Sequence, residues 1–430
     1  MTTSAASRPQ SSASSSTLRR QQTITLALLF IGGVVNYLDR SSLSIANTTV
    51  RAEMHLNATQ MGWLFTTFPL AYGLAQLPMV GLLDRAGTRT TLGAGLSLWS
   101  VAQMLTGLVR GLPTFLPLRF LLGAGEAPWW PAGVRTLRDW FSPRARARAT
   151  SIFNSSNPLA SALAPPLLTC IMLWRGWRAM FVALGVAGMF VAAAWFALHR
   201  EAPVRQPWEL AEEKQSAAAP ALGSALRILL RRRMVWGMML GWGGVNYTVW
   251  LYLTWLPGYL EGQRHLSVAR SGWVAAIPFL AGAAGMYING IITDTLGRRG
   301  FSLAAVHRMN IIAGMTFSAV GTFVVAHSAT TPRAVAGLSI ALFCIHSAGV
   351  SGWGYVQAVA PHGLVGSLAA LQNFASFMIA SAAPVLTGWL LDKTHSFTIA
   401  LGVCSAVTLL GALSYATLAR PSSSGLSEPA

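Results

Sequence analysis

Twelve apolar segments, each about as long as a bilayer-spanning helix, recur along this 430-residue chain. They lie near 23–48, 60–82, 90–110, 113–135, 149–172, 178–198, 234–260, 270–292, 302–326, 334–358, 366–391 and 397–419. A hydrocarbon core about 30 Å thick requires roughly 20 apolar residues of a spanning helix. Inside lipid every backbone N–H and C=O must be satisfied within the chain, so segments of this length cross as helices. The expected fold is therefore an all-α membrane protein with 12 transmembrane helices. Composition agrees, with 53% hydrophobic and 10% charged residues, where a soluble domain carries about a quarter charged.

The net charge of +18 would suit a nucleic-acid partner if the basic residues formed one patch, but they sort instead by side of the membrane. With the N-terminus placed in the cytoplasm, 21 of the 31 Lys and Arg fall in inner segments, 8 in outer segments, and Arg40 and Arg119 lie within spans. The positive-inside rule thus predicts a multi-pass protein of a bacterial inner membrane with both termini cytoplasmic and no nucleic-acid partner. The three cysteines, Cys170, Cys344 and Cys404, all fall in spans at no metal-binding spacing, so neither a disulfide nor a metal site is expected.

The polar stretches set the organisation. Residues 1–22 begin with Ser, Thr and Ala and no apolar core, which predicts a disordered cytoplasmic tail and no cleaved signal peptide. Bundles of six spans are expected over 23–198 and 234–419, joined by a cytoplasmic linker over 199–233 and followed by a short tail, 420–430. Each half repeats one loop after its second span: "GLLDRAGTR" from Gly81 to Arg89, and "GIITDTLGRR" from Gly290 to Arg299. A glycine-enabled turn carrying Asp84, Arg85 and Arg89, or Asp294, Arg298 and Arg299, can make charge contacts with neighbouring helix ends. Such contacts would shut the cytoplasmic side in one state and release it in another. This loop resembles the signature loop of the major facilitator superfamily, in both positions where that family has it. The resemblance implies two six-helix bundles related by a pseudo-two-fold axis, with a substrate site near the midplane between them. One departure is Val80, which stands where the second copy has Gly290, four residues before the aspartate; Gly81 is displaced by one.

Of the acidic residues only Asp39 and Glu126 lie well inside spans, and of the Lys and Arg only Arg40 and Arg119. A charge at the bilayer centre costs at least about 2.5–3.5 kcal/mol on insertion scales, so such groups face a cavity, pair with one another and mark an ion or substrate route. Arg119 and Glu126 are seven residues apart, close to two turns, on one face of span four at depths about 10 Å apart. Asp39 and Arg40 are neighbours and diverge by about 100°. The set is neutral when fully ionised; a bound carboxylate adds one negative charge, and one proton restores neutrality. Coupling of at least one proton per carboxylate is the expectation, with no other cofactor.

The segments "NYLDRSSLSIA", "RFLLGAGEAPWWPAG", "DWFSPRARARATSIFNSSNPLASALAPPLL" and "GWRAMFVALGVAG" carry a narrower resemblance, to the anion:cation symporter family and its bacterial sugar-acid branch of galactonate, glucarate and hexuronate carriers. The resemblance implies that Asp39 and Glu126 take up protons, Arg40 anchors the substrate carboxylate and Arg119 is the counter-charge; the residues themselves leave open which arginine holds the anion. It also implies Tyr37, Tyr72, Trp353 and Asn373 as substrate contacts. Span seven departs from the pattern, with Trp242 where sugar-acid carriers tend to have glutamine. A tryptophan there removes a hydroxyl partner and keeps aromatic or less hydroxylated carboxylates, tartrate- or phthalate-like, as an alternative substrate class. An exporter of the antiporter type is the other alternative, although span five, "NSSNPLASALAPPLLTC", lacks the glycine-rich motif of proton antiporters. No phosphate loop, nucleophile elbow or Cys/His cluster points to an enzyme. His346 reads as a packing residue, and Pro128 and Pro131 are placed to loosen the helix beyond Glu126. The expected working unit is a monomer in the lipid bilayer that binds a small organic anion and H+.

Overall fold

The computed structural model describes residues 13–201, 222–361 and 363–420, and within these every regular element is helical. The first half comprises α1 (Ala13–Ile45), the short α2 (Asn47–Glu53), α3 (Ala58–Thr106), α4 (Leu112–Glu126), α5 (Trp129–Trp140) and α6 (Pro143–Leu198). The second comprises α7 (Leu222–Leu230), α8 (Arg233–Gly262), α9 (Val268–Arg298), α10 (Leu303–Ala326), α11 (Thr331–Val359), α12 (Val365–Ala380), α13 (Ala382–Thr394) and α14 (Thr398–Thr417). Helix numbers and span numbers differ for a physical reason. α3 and α6 each contain two spans hinged at a glycine, Gly87 at φ 75° and Gly176 at φ 83°, a backbone region that L side chains rarely adopt. Conversely, α4 with α5 makes span four, and α12 with α13 makes span eleven. Twelve spans result.

Two boundaries correct the sequence reading. α1 begins at Ala13, so the tail expected over 1–22 is helical from Ala13 on; "ASSSTLRRQQ" contains no Gly or Pro and extends the helix nucleated by the apolar span. Residues 1–12 lie outside the described residues. Within the linker expected over 199–233, Leu222–Leu230 is the helix α7; residues 202–221, and the tail from 421 on, lie outside the described residues.

Large apolar side chains such as Phe190, Trp174 and Leu410 stand on the outer surface, 65–75% exposed, where lipid can shield them. Within each half the helices press together through small residues. The Cβ of any residue replacing Gly123 would strike the Phe68 carbonyl oxygen of α3, and one at Gly125 would come within 2.9 Å of the Trp99 amide nitrogen. This is the close approach that the glycines beside Glu126 suggest in the sequence. The expected loosening beyond Glu126 is present as well: Ala127 N–H bonds back to Ala124 over 3.3 Å, and α5 starts anew at Trp129. His199, just past α6, ties this half together at the end carrying the termini. Its ring stacks on Trp195 at 3.9 Å and its Nδ1 lies 3.0 Å from Thr25 Oγ1 of α1.

The hydrogen bonds that join the two halves lie at the midplane and at the end opposite the termini, here called the far end. The Asp392 carboxylate, on α13, accepts from the Ala58 amide at 2.8 Å, the Thr59 amide at 2.7 Å and the Thr59 hydroxyl at 2.5 Å, so it caps the first turn of α3 from across the seam. Ser44 donates to the Thr254 carbonyl at 2.9 Å, Thr66 donates to the Ser381 carbonyl at 2.7 Å, and Thr48 bonds to Glu261. Backbones nearly touch: a Cβ at Gly62 would lie 2.7 Å from the Pro384 oxygen, and one at Gly388 would strike Ala58. The far end is thus closed.

Candidate functional site

The four intramembrane charges lie close together in the first half, in two distinct surroundings. Arg40, on α1, donates from Nε to Glu126 Oε2 on α4 at 2.7 Å, and both side chains are almost wholly shielded, 5% and 0% exposed. Burial of both partners excludes the weak surface kind of ion pair; removing either would leave an uncompensated charge. The Arg40 guanidinium also lies over three aromatic rings, those of Tyr37, Phe68 and Tyr72, at 5.0, 5.2 and 4.9 Å. Its Nη2 and the second oxygen of Glu126, Oε1, have no protein partner.

Asp39 and Arg119 occupy a second compartment. Asp39 points about 100° away from Arg40 around α1 and is fully buried; neither of its oxygens makes a hydrogen bond of standard geometry, the Trp99 indole being the donor that approaches it. Arg119 is 2% exposed and sits between the rings of Phe115 and Phe181, at 5.5 and 5.2 Å from its Cζ, with Nε and Nη2 unpartnered. Asp39 and Arg119 act on each other electrostatically without forming a contact ion pair among the described residues. Although Arg119 and Glu126 lie on one face of span four, Glu126 is bound to Arg40, while Arg119 is held apart by aromatic faces. Two turns along α4 are enough to put them in different surroundings.

The remaining expected contacts surround this centre. Tyr37 OH accepts from Asn157 Nδ2 at 2.5 Å. Tyr72 is buried, with its ring 4.8 Å from that of Phe377 in the second half. Asn373 donates from Nδ2 to Gln76 Oε1 at 2.8 Å, a bond that crosses from α12 to α3. Trp353 is 43% exposed, and its ring meets Trp242 edge-on at 5.8 Å. Trp242 itself is buried over Gly352, so it shapes the wall from behind Trp353 and does not line it. His346 bonds its Nδ1 to the Leu342 carbonyl one turn back, the packing role expected of it.

Sequence reasoning missed Asn157, Gln76 and Asp392. Lone amides and loop carboxylates carry no signal of their own; Gln76 could have been found only from its position one turn beyond Tyr72. Of the two repeated loops, the first makes contacts within its own half. Arg135 donates to Asp84 at 2.6 Å and Arg89 donates to the Phe196 carbonyl at 2.5 Å. Arg85 is exposed, as are Asp294, Arg298 and Arg299 of the second copy, for which no ion pair is found among the described residues. Gly81 and Gly290 each have open space where a Cβ would stand. The side chain of Val80 lies outside the described residues.

Two bundles of membrane helices around a charged, aromatic-walled midplane centre define a carrier. The chain belongs to the major facilitator superfamily, whose family model matches residues 29–384, and it is a transporter and not an enzyme. It is 45% identical over 412 residues to a probable L-galactonate transporter of Escherichia coli strain K12, covering 94% of this chain and 91% of that one. It is 32% identical over 416 residues to a probable galactarate/D-glucarate transporter of the same organism, with 91% and 93% covered, and 28% identical over 400 residues to a hexuronate transporter of Bacillus subtilis, with 92% and 94% covered. Among solved structures, a bacterial homolog of the human lysosomal transporter Spinster superposes with a TM-score of 0.73 at 17% identity, covering 93% of this chain and 94% of that one. A D-xylose-proton symporter gives 0.74 at 14%, with 93% and 98% covered. At such identities these two report the fold alone.

Proposed function

We propose that this protein is a proton-coupled symporter that imports a sugar acid by alternating access, with both termini in the cytoplasm. In that orientation the far end is the outer face, and the state described above is closed outward. The observation that carries the reading is the buried Arg40–Glu126 pair. Arg40 keeps Nη2 free for an incoming carboxylate while its Nε remains on Glu126. Protonation of Glu126 removes the competing anion, strengthens the hold of Arg40 on substrate and restores neutrality. Asp39, with no hydrogen bond of standard geometry and with Arg119 within electrostatic reach, is a second proton acceptor that the same bundle carries inward. The relatives named for galactonate, galactarate, glucarate and hexuronate transport supply the substrate class, a polyhydroxy carboxylate.

Reconstituted vesicles with an imposed inward proton gradient test this. Sugar acids are expected to accumulate, Asp39→Asn and Glu126→Gln are expected to abolish accumulation while retaining part of the counterflow exchange, and Arg40→Ala is expected to lose substrate binding. Concentrative uptake by both acid mutants would end the coupling assignment, and normal affinity in Arg40→Ala would move the carboxylate to Arg119. A second reading, transport of aromatic carboxylates, draws on the Trp242–Trp353 pair in the second half; preferential uptake of phthalate over galactonate in the same vesicles would favour it.

A further inference from the structure

Tyr72, Gln76, Asn373 and Phe377 form two rungs between the halves. Tyr72 meets Phe377 at 4.8 Å between ring centres, and one turn nearer the end carrying the termini Gln76 accepts the 2.8 Å bond from Asn373. The lower rung borders the charged centre, since the Arg40 guanidinium lies 4.9 Å from the Tyr72 ring. One turn of α3, about 6 Å of helix rise, separates Gln76 from Tyr72, and the Tyr72 side chain interacts with both Arg40 and Gln76. Five C–C bonds of about 1.5 Å extend a six-carbon acid by about the same 6 Å, whereas a three-carbon acid reaches less than half as far. Both amides are only half-buried, and each has two donors and an acceptor. Their mutual bond engages one Asn373 donor and the Gln76 acceptor, groups of the kind that a substrate hydroxyl engages.

We propose that Gln76 determines substrate chain length: its amide, positioned across the seam by Asn373, binds a hydroxyl on the distal carbons of the acid held by Arg40. The proposal rests on the reading of the protein as a sugar-acid carrier. Gln76 touches the end of the substrate away from the carboxylate, so its replacement weakens long substrates selectively. A hydroxyl with no amide to meet loses a hydrogen bond worth about 1 kcal/mol, or about five- to tenfold in affinity.

Proton-gradient-free counterflow exchange in vesicles, with a hexonate and with glycerate as competing substrates, tests it. Gln76→Leu is expected to raise KM for the hexonate about five- to tenfold and to leave that for glycerate unchanged, so that glycerate exchange reports a folded carrier. Gln76→Asn, which keeps the amide but draws it back by one methylene, is expected to fall between the two. An unaltered hexonate-to-glycerate preference in both variants would overturn the proposal while leaving the sugar-acid reading intact. Loss of both substrates together in both variants would also overturn it, by making Gln76 a structural residue. A wild-type carrier that exchanges no sugar acid would overturn the sugar-acid reading and the proposal with it.

Discussion

Replacing Asp392 by asparagine is expected to open the far end. Its carboxylate accepts three hydrogen bonds from the first turn of α3, two from backbone amides that have no partner within their own helix. An asparagine keeps one accepting oxygen and loses the negative charge at the positive end of the helix. Hydrogen bonds to a charged group contribute about 1.5–3 kcal/mol each and the helix-end charge about 0.3–1 kcal/mol. Because Asp392 is partly exposed, the lower part of these ranges applies, and the net loss is about 2 kcal/mol, or about 30-fold in the equilibrium between far-end-closed and far-end-open states. The first helix turn itself is less affected, because Asn57 and Gln60 cap it locally through reciprocal bonds of 2.8 and 3.0 Å. Ser44 is buried at the same seam, so Ser44→Cys in a background without Cys170, Cys344 and Cys404 gives a reporter for maleimide labelling in detergent. The labelling rate is expected to rise about 30-fold on adding Asp392→Asn. A rise of less than threefold would refute the idea that this cap holds the seam.

Gly87→Ala places an L residue at φ 75°, ψ 171°, a nearly glycine-only region, with its Cβ against the Glu201 carboxylate, and should cost about 1–3 kcal/mol, seen as a lower midpoint of thermal unfolding; an unchanged midpoint would mean that the hinge tolerates another geometry. Burial, reinforced by the nearby Arg89, pushes His199 down to about 4. The unfolded chain therefore binds its proton first, near pH 6.5, and stability falls as pH drops from about 6.5 toward 4, by up to about 3 kcal/mol. His199→Gln should flatten that slope, and identical slopes would show that another group sets it. Arg40→Ala strands a buried carboxylate and should destabilise by about 3–5 kcal/mol, with partial recovery in the Arg40→Ala/Glu126→Gln double mutant; additive losses in a double-mutant cycle would argue that the two side chains do not depend on each other.

The spans, their number and the buried charges were legible because the bilayer constrains sequence so strongly: no other chemistry asks for twelve apolar segments with four isolated charges. The partners of those charges were not legible. Spacing along α4 places Arg119 and Glu126 on one face, yet Phe115 and Phe181 claim the first and Arg40 the second, and these partners come from α1, α4 and α6. Helix ends were hidden for a local reason. The start of α1 and the whole of α7 are polar or mixed segments whose helicity depends on the apolar spans they abut. Gln76 and Asp392 were invisible because each gains meaning only from a residue about three hundred positions away. The place of Trp242 against Trp353 was not legible either, since it follows from Gly352, whose missing side chain makes the room.

The glycines of α4 have a kinematic consequence. With Gly123 against the Phe68 carbonyl and Gly125 against the backbone at Trp99, span four is keyed into spans two and three at two successive levels, and neither sliding nor axial rotation of α4 is possible without backbone collision. Arg119 and Glu126 therefore keep fixed addresses in the first half throughout the cycle. In the proposed proton-coupled cycle, charge rearrangement then falls to protons, rotamers and substrate, with the halves moving as blocks about the seam between them.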